Sequence, residues 1–464
     1  MNEKKMSNNE MIRFSMGEVT RSLAENGIGT FVMLYFTSAL GLSPAYAGLA
    51  LSLSVAWDAI TDPVMGYISD NTHSKYGRRY PYIFIGGILL LVLLYFYWHV
   101  PTFFTETQQS LFMYLVIVNI LFKTLFTVYL VPYGAMAMDL VTDFDGRTKI
   151  QSMRQSINML ANFFGPGISW FIFFPRAEDV ADVSKYEAMG NYFIIVATIT
   201  LVITLLYLRT KIESTEQVDT TKKEKHSPKK VFLDYLNVVK NKYLIILFLF
   251  GLTVYVSSTL VANLQGYMYS YYMMFDGLHK TIANGSTMLA GAAGSAVGMY
   301  FAKRYSKKIA AAIAVCIGSF SAFILLFLLL TNMVEPGTST GTIMFTLGNA
   351  GYWFGQIMSV PLIFSMLSDI AEVSYIETGM QQEGTFMSVY TFLSKCAQSF
   401  GSFACGIALT IVGFDVSTTA QSVDTLSKLS VATFGISPLI MLLGVFFIIM
   451  YPLSESKLVE VRRK

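Results

Sequence analysis

Apolar stretches of about eighteen or more residues recur from one end of this chain to the other. A helix of that length crosses a hydrocarbon core of about 30 Å, and the bilayer admits only helices or closed barrels because unsatisfied backbone groups are costly there. We count about twelve such stretches by this length rule. The 464 residues are only 14% charged, against about 25% in soluble domains. The sequence therefore predicts an all-α polytopic membrane protein.

The basic residues predict how the chain is oriented. Lysine and arginine cluster in every second connection and in the tail, whereas the alternate connections are short or acidic. Because cytoplasmic loops carry an excess of these two residues, we expect both termini in the cytoplasm, which requires an even number of spans. The net charge of +3 then reflects topology, and no nucleic acid partner is expected. The polar N-terminal tail lacks a small-residue cleavage site, so we expect the first span to be retained.

Side chains that indicate catalysis or metal chemistry are sparse. Cys316, Cys396 and Cys405 stand alone inside predicted spans, without disulfide or metal-ligand spacing. The four histidines are scattered over loops and helix ends. The sequence has no nucleophile elbow and no phosphate-binding glycine loop. We therefore predict that the chain is not an enzyme and that it needs no cofactor besides a coupling ion.

The longest polar connection divides the chain. Residues 211–240 are rich in charge and lie between the sixth and seventh predicted spans. We expect an N-terminal six-helix half over 1–210, a cytoplasmic loop over 211–240 and a C-terminal six-helix half over 241–464. A weak repeat supports two halves, because basic residues follow a glycine after the second span and again after the eighth. The alternative is that the basic residues after the eighth span only reflect the cytoplasmic location of that loop and are not part of a repeat. Two halves that rock about a central site are a common plan for transporters.

Two carboxylates stand one helical turn apart inside the second apolar run. Asp58 and Asp62 share a helix face, and a charge at the bilayer centre costs about 2.5–3.5 kcal/mol on insertion scales. Two nearby carboxylates in a low dielectric resist ionising together unless a cation or a proton intervenes. Thr61 and, on the fourth span, Thr127 offer neutral oxygens that suit Na⁺ or Li⁺, and a proton is the other coupling ion. The alternative is an internal salt bridge, for which Lys123 is the candidate.

A loop and its surroundings resemble a known family. The run from Gly66 through Asp70 to Gly77, Arg78 and Arg79 resembles the loop signature of the major facilitator superfamily. The aspartate pair before it resembles the second helix of the glycoside-pentoside-hexuronide:cation symporter family, which includes the melibiose carrier. The resemblance covers nearly the whole chain. Further positions that carry it are Val131, Pro132, Tyr133, the segment 147–154, Asp369, Tyr375, Thr378, Gly379, Glu383, Gly384 and Lys395.

The resemblance implies a major facilitator fold and cation-coupled symport of a sugar, glycoside or related solute by alternating access. It assigns Asp58, Thr61, Asp62 and Thr127 to the coupling-cation site, with the two aspartates as ligands of Na⁺ if that ion binds. The family does not ordinarily carry a lysine at position 123, so H⁺ coupling and an uncoupled facilitator stay open beside Na⁺. Two further alternatives are a lysolipid or amphiphile carrier of the same fold and a non-transporting membrane sensor.

The substrate positions differ from those of the melibiose-carrier branch. There two aspartates bind galactoside hydroxyls, and the corresponding positions here are Ser22 and Leu130, so a galactoside site is not expected. The first span instead carries Glu18, Arg21 and Glu25 on one face, either as internal ion pairs or as cavity residues. The basic residues among these candidates fit a sugar acid as the substrate, and a neutral glycoside is the alternative. The predicted substrate-binding residues are Arg21, Ser22, Glu25, Lys123, Arg154, Tyr390, Thr391 and Lys395.

The loop after the second span predicts a gate. Its charged residues are expected to bond the cytoplasmic ends of neighbouring helices and to hold an outward-facing state closed, and its glycines to allow close backbone approach. The family resemblance also implies the bacterial plasma membrane as the location. The expected partners are a small-molecule solute and the lipid bilayer, and we expect a monomer. The residues assigned to the gate are Gly66, Asp70, Gly77, Arg78, Arg79 and Arg147.

Overall fold

The computed structural model describes residues 6–72, 74–141, 144–214, 238–379, 382–418 and 420–453. Within these ranges the regular structure is helical and no strand is present. Twelve long helical segments, α1 to α12, follow one another along the described chain. Their main stretches are α1 Gly17–Leu34, α2 Pro44–Asn71, α3 Tyr80–Trp98, α4 Gln108–Leu140, α5 Phe144–Asn162, α6 Val183–Ser214, α7 Lys242–Tyr267, α8 Gly277–Arg304, α9 Lys307–Leu330, α10 Ser339–Thr378, α11 Glu383–Ile411 and α12 Ser437–Met450.

Shorter helical pieces extend four of these segments. A π turn closes α1, and another closes α7, its counterpart six helices later. Such turns widen the helix locally and are frequent at functional sites. The pieces are Asn8–Ser15 before α1, Tyr35–Ala39 after it, Phe163–Gly167 and Ile168–Phe173 after α5, Met268–Tyr272 after α7, and Val423–Val431 and Ala432–Ile436 before α12. Two 3₁₀ turns, Thr102–Phe104 and Glu178–Ala181, lie in connections.

Polar side chains set the starts of several helices. An oxygen of the capping residue accepts a backbone N–H of the first turn, which otherwise has no partner in the helix. At the other end, α10 stops at Gly379, whose φ of +71° is left-handed. The caps are Thr107 for α4, Asn241 for α7, Asp276 for α8, Ser306 for α9 and Thr338 for α10.

The chain forms two compact units, Met1–Lys223 and Glu224–Lys464. In the first unit α4 packs on α2 and α3, α1 packs on α5 and α6, and α3 packs on α6. The second unit has the same pairings six helices later, with α10 on α8 and α9, α7 on α11 and α12, and α9 on α12. One six-helix arrangement therefore occurs twice. The predicted loop 211–240 lies mostly outside the described residues, so the boundaries 1–210 and 241–464 stay a prediction.

Seven helices in the described part of the chain are long and apolar enough to cross a membrane. The remaining five long segments, α1, α2, α5, α8 and α11, carry more polar or charged side chains. In a bilayer such side chains are expected to face the bundle interior or water instead of lipid. The seven are Tyr80–Trp98, Gln108–Leu140, Val183–Lys211, Lys242–Tyr272, Lys307–Leu330, Ser339–Thr378 and Val423–Met450.

Glycine sets the spacing of the helices around α10. A Cβ at Gly294 of α8 would lie 2.3 Å from the carbonyl oxygen of Phe354. A Cβ at Gly355 of α10 would lie 2.3 Å from the amide nitrogen of Gly318 in α9. Helices in lipid associate through van der Waals contact at small residues, because lipid is as apolar as their own side chains. Any larger side chain at these two positions would push the helices apart.

Candidate functional site

Helices α2 and α4 bring the aspartate pair to one threonine. Asp58 is 5% exposed, and Asp62 is half-buried. The hydroxyl oxygen of Thr127 on α4 lies 3.1 Å from Asp58 Oδ1 and 2.8 Å from Asp62 Oδ1. Thr61 Oγ1 donates to the Asp58 carbonyl at 3.3 Å and lies 3.5 Å from Thr127 Oγ1. The four residues predicted for the cation site therefore lie together.

Lys123 reaches the same cluster. Its Nζ lies 3.7 Å from Asp58 Oδ2, and only 18% of the lysine side chain is exposed. The ammonium also stands 5.7 Å from the centroid of the Phe126 ring, within the range of a cation–π contact. At 3.7 Å the pair is ionic, but it is too long for a good hydrogen bond. The salt bridge that the sequence offered as an alternative is therefore present beside the threonine contacts.

One threonine hydroxyl lies between the two carboxylates of this cluster. The single hydroxyl hydrogen of Thr127 can serve only one carboxylate at a time. When one carboxyl is protonated, its O–H donates to Thr127 Oγ1 and Thr127 donates to the other carboxylate, so both short contacts contain a hydrogen. The two contacts therefore suit a carboxyl pair that holds one proton.

A metal ion at this cluster would depend on two carboxylates and hydroxyl oxygens. Among the residues that the structure describes, no group of three or more His, Cys, Asp or Glu side chains is placed to hold a metal. Two carboxylates with neutral oxygens still provide hard oxygen ligands of the kind that Na⁺ accepts. The ammonium of Lys123 lies 3.7 Å from one of these carboxylates.

An indole borders the cluster, and sequence reasoning gave it no role. Trp57 precedes Asp58 on α2, and its Nε1–H donates to Thr124 Oγ1 on α4 at 2.9 Å. Thr124 follows Lys123 directly. This bond therefore ties α2 to α4 beside the ion pair. The only sequence signal for it is the position of Trp57 next to a buried carboxylate.

A second charged cluster lies between α1 and α5. Glu18 is 1% exposed, and its Oε1 accepts from Arg154 Nε at 2.7 Å and lies 2.6 Å from Arg154 Nη2. Its Oε2 lies 3.3 Å from Arg21 Nη1. Arg21 Nε also donates to Glu25 Oε2 at 3.2 Å. The Arg154 guanidinium stands 5.0 Å from the Tyr133 ring centroid. Two glutamates and two arginines therefore balance in this cluster.

The first-span residues pair among themselves, as one of the two interpretations of the sequence proposed. Arg21 and Glu25 are 33% and 39% exposed at their side chains, so both stay partly accessible. Glu18 is central to the cluster, although the sequence placed it only on one face with Arg21 and Glu25 and did not include it among the predicted substrate-binding residues. Ser22, by contrast, is fully buried. Its Oγ accepts from Asn26 Nδ2 at 2.9 Å, which places this predicted substrate residue inside the packed helices.

The predicted substrate residues of the second unit lie along α11. Tyr390 is buried, and a Cβ at Gly251 of α7 would lie 2.1 Å from its hydroxyl oxygen. Thr391 is exposed and Lys395 is half-buried, one turn apart on another side of the helix. Tyr390 therefore packs against α7, whereas Thr391 and Lys395 share a more accessible face.

The predicted gate forms a network at the ends of α2, α3 and α4. The Arg79 side chain is buried, and its Nη2 donates to Asp70 Oδ1 at 2.9 Å. Its Nη1 donates to Asp139 Oδ2 at 2.5 Å and to the carbonyl oxygen of Ala135. Arg78 Nη2 donates to Asp139 Oδ1 at 2.9 Å. Asp139 therefore holds both arginines, and sequence reasoning missed it. The signal for it was an acid that ends an apolar span.

The gate glycines act differently from the prediction. A Cβ at Gly66 would lie 3.9 Å from Val131 Cγ1, in ordinary contact, and one at Gly77 would meet open space. No neighbour approaches either glycine closely, so the prediction that they allow close backbone approach is wrong. Gly77 is needed because its φ is +79°, a conformation that other residues adopt at a cost. The side chain of Arg147, the remaining gate residue, lies outside the described residues.

The second unit carries a charge pair at the corresponding helices. Lys307 Nζ at the start of α9 lies 2.6 Å from Asp369 Oδ2 on α10, as Arg79 at the start of α3 pairs with Asp139 on α4. Lys308 donates to the carbonyl of Tyr451 at 3.1 Å. The basic residues of the second copy therefore make specific contacts at these helix ends.

A sequence match to a known family adds to this geometry. The family described as MFS/sugar transport protein matches residues 13–455. The chain belongs to this family. Its members are transporters of the major facilitator superfamily, so the predicted family resemblance is confirmed. The chain is accordingly a multi-pass membrane transporter.

Relatives of this transporter carry symporter names. It is 23% identical over 441 residues to the putative glycoside/cation symporter YagG of Escherichia coli, covering 94% of this chain and 90% of that protein. It is 30% identical over 147 residues to the uncharacterized symporter sll1374 of Synechocystis, and 29% identical over 157 residues to the mouse sodium-dependent lysophosphatidylcholine symporter 1. These two matches cover 31% and 33% of this chain, and only 27% and 29% of the respective relatives.

Solved structures share the fold. A bacterial homologue of the human drug peptide transporters PepT1 and PepT2 superposes with a TM-score of 0.66 at 14% identity, covering 99% of both chains. A D-xylose-proton symporter superposes with a TM-score of 0.60 at 13% identity, covering 94% of this transporter and 96% of that chain. The predicted all-α major facilitator fold is therefore confirmed.

Proposed function

We propose that this transporter is a proton-coupled symporter of a neutral polyhydroxylated solute, such as a sugar or a glycoside. It acts by alternating access in the bacterial plasma membrane, with both termini in the cytoplasm. The observation that carries the proposal is the pair of short contacts that the Thr127 hydroxyl makes to Asp58 and Asp62, with the Lys123 ammonium 3.7 Å from Asp58 Oδ2. One proton on the carboxyl pair places a hydrogen in both Thr127 contacts. The name of the glycoside/cation relative supports the solute class.

The lysine favours a proton over Na⁺ as the coupling ion. Its ammonium, 3.7 Å from Asp58 Oδ2, repels a second cation at that carboxylate. Asp62 then takes the proton, because it is the more accessible acid and the Thr127 hydroxyl lies 2.8 Å from it. Protonation and solute binding favour one conformational state over the other, and this differential binding couples their movements.

The balanced cluster favours a neutral solute over a sugar acid. Arg21 and Arg154 both pair with Glu18, and Arg21 pairs with Glu25 as well. An anionic solute at Arg21 would have to displace Glu25 or weaken the buried contacts of Glu18, and removing one partner from a buried charge pair is costly. A neutral solute can hydrogen-bond the partly exposed Arg21 and Glu25 without breaking either pair.

A lysolipid is the second candidate solute, because the mouse lysophosphatidylcholine symporter matches a third of the chain. Lysophosphatidylcholine carries a phosphate, a quaternary ammonium and one long acyl chain. The experiment below therefore includes it beside sugars.

The test is transport by purified full-length protein in proteoliposomes. Counterflow is measured with D-glucose, D-xylose, methyl β-D-glucopyranoside, cellobiose, D-glucuronate and lysophosphatidylcholine. Accumulation of each exchanged solute is then driven by an inward pH gradient or an inward Na⁺ gradient. The variants are Lys123→Ala and, as the control for loss of a lysine, Lys303→Ala, whose side chain is exposed at the end of α8.

We expect a neutral sugar to exchange and the pH gradient alone to drive its accumulation in the wild type. Lys123→Ala should gain a Na⁺ response, because it removes the competing ammonium, whereas Lys303→Ala should behave as the wild type. Saturable Na⁺-driven uptake in the wild type that Lys123→Ala leaves unchanged would refute proton coupling. Exchange of lysophosphatidylcholine alone would replace the sugar by an amphiphile, and exchange of no solute would exclude the proposed transport.

A further inference from the structure

A polar network joins α7 and α10 in the second unit, apart from the charged clusters. The Asn349 side-chain amide donates to the Tyr269 hydroxyl at 2.9 Å, and that hydroxyl lies 3.4 Å from Gln265 Oε1. The indole N–H of Trp353 donates to the same Oε1 at 3.1 Å. A phenol and an indole therefore converge on one amide oxygen, and Asn349 supports the phenol from behind.

The indole fixes how the Gln265 amide is oriented. An indole N–H can only donate, so the amide atom that faces Trp353 is the oxygen, which settles an assignment that is otherwise ambiguous for glutamine. With the Tyr269 hydroxyl on the same oxygen, the amide nitrogen and its two N–H donors are directed away from the network. Asn349 and Tyr269 are fully buried, whereas Gln265 and Trp353 are half-buried. Two buried side chains thus hold the accessible pair in place.

The accessible pair lies off the most exposed apolar face of α10. Ile343 and Leu347 form that face in the same half of the helix, with 58% and 67% of their surfaces exposed. At 3.6 residues per turn, Trp353 lies roughly 80° to 120° around the helix from them. Polar side chains in membrane helices are expected to face protein or water and not lipid. Gln265 and Trp353 therefore form a polar spot away from the exposed apolar face.

We propose that Gln265 and Trp353 form a subsite that binds one ring of a neutral sugar. The two amide N–H groups donate to ring hydroxyls, and the indole face packs on the apolar side of the ring, which is the mixture of apolar wall and few oriented polar groups found in ligand sites. This inference rests on the proposed function, since it names a binding subsite for the transported solute.

Two features of the network fit such a ligand. All four side chains are neutral, so the network offers hydroxyl recognition without a countercharge for an anion. Asn349 Oδ1 is buried and has no hydrogen-bond donor among the described residues. A buried orphan acceptor in a polar setting indicates a place for an ordered water or for another hydroxyl group.

The first test measures solute affinity in the full-length protein. Gln265→Leu removes the amide donors, and Trp353→Phe keeps an aromatic ring while removing the N–H bond. Ser257→Ala is the matched control, because it removes the 2.8 Å bond to Tyr352 between the same two helices at a fully buried position. Counterflow with the neutral sugar that the wild type exchanges best gives the half-saturation concentration. We expect it to rise about tenfold in Gln265→Leu, about threefold in Trp353→Phe, and less than twofold in the control.

A second measurement separates contact with the sugar from a structural role. The chain has four tryptophans, and Trp98 and Trp170 are buried in the first unit. We expect the same sugar to change the intrinsic fluorescence of the wild type and of Trp57→Phe, and not that of Trp353→Phe. An unchanged half-saturation in the Trp353 and Gln265 variants, or a sugar signal that survives Trp353→Phe, overturns the subsite alone. A wild type that exchanges no neutral sugar overturns both the subsite and the proposed solute.

Discussion

The two charged clusters of the first unit differ in the kind of cation that contacts their carboxylates and in the length of that contact. Between α2 and α4, the Lys123 ammonium lies 3.7 Å from Asp58 Oδ2. Between α1 and α5, two carboxylates meet two guanidinium groups, with a shortest contact of 2.6 Å. Arginine bonds a carboxylate through several fixed N–H groups, whereas lysine acts as a point charge. The guanidinium groups therefore hold the balanced cluster in one arrangement, whereas the longer lysine contact fits the proposed exchange of a coupling proton at Asp58 and Asp62.

The largest expected effect follows from removing one carboxylate of the first cluster. In Asp58→Asn the Lys123 ammonium loses the carboxylate that lies 3.7 Å from it, so protonation of the remaining acid Asp62 becomes less favourable. If the loss of this contact costs proton binding about 3 kcal/mol, accumulation driven by a pH gradient should fall roughly a hundredfold. Exchange by counterflow, which needs no net proton movement, should continue. The measurement is the initial uptake rate in proteoliposomes, with Asp424→Asn, an exposed acid on the second unit, as control.

Coupled uptake that persists in Asp58→Asn at the wild-type rate would show that the cluster does not carry the coupling proton. The contrast between the two clusters would then concern stability alone.

The next effect tests the balanced cluster through its buried member. In Glu18→Gln the buried Arg154 loses its counter-charge, which should destabilise the first unit by about 3 kcal/mol. The apparent Tm in detergent should fall by about 6–12 °C, given that 1 kcal/mol corresponds to about 2–4 °C in a unit of this size. Glu25→Gln is the control, because its pair with Arg21 is partly exposed and such pairs contribute about 0.2–1 kcal/mol. Equal Tm values for the two variants would contradict the central role of Glu18.

The gate network predicts unequal effects of its two aspartates. Asp139 bonds both Arg78 and Arg79, whereas Asp70 bonds Arg79 alone and is half exposed. Hydrogen bonds to charged groups contribute about 1.5–3 kcal/mol each, so Asp139→Asn should weaken closure and slow net transport more than Asp70→Asn. Reaction of a cysteine introduced at Ser69 with a cytoplasmic thiol reagent reports the closure. Unchanged transport and accessibility in both variants would mean that the network is no gate.

The Thr127 hydroxyl should influence the pH at which the cluster of Asp58 and Asp62 takes up its proton. With one carboxyl protonated it makes two hydrogen bonds, and with both ionised it makes one. Thr127→Val therefore costs the protonated state one more bond, worth about 1 kcal/mol. The pH profile of coupled uptake should therefore shift toward acid pH. Thr127→Ser keeps the hydroxyl and should keep the profile; a shift toward alkaline pH in the valine variant would contradict the hydrogen-bond count.

Local patterns in the sequence were enough to predict the fold and the cluster of Asp58, Asp62 and Thr127. Apolar runs of helical length predict the twelve segments because the bilayer leaves the backbone few choices. The spacing of Asp58 and Asp62 predicts a shared face, and the ion pair with Lys123 was foreseen as an alternative. The bond between Glu18 and Arg154 and the contacts of Asp139 were missed, because these partners lie more than 50 residues apart in sequence. No local period encodes such partners, so only the packed structure reveals them.

The smallest effect concerns solute selection by the balanced cluster. Glu25→Gln leaves Arg21 paired with Glu18 but frees one side of its guanidinium, so the cluster gains one formal positive charge at a partly exposed place. Because exposed pairs contribute about 0.2–1 kcal/mol, inhibition of sugar counterflow by D-glucuronate should strengthen about two- to fivefold, while affinity for the neutral sugar should change less. Competition in proteoliposomes measures both. If D-glucuronate inhibits the wild type as strongly as the neutral sugar does, Glu25 does not exclude anions, because the site then accepts a negative charge with that pair intact.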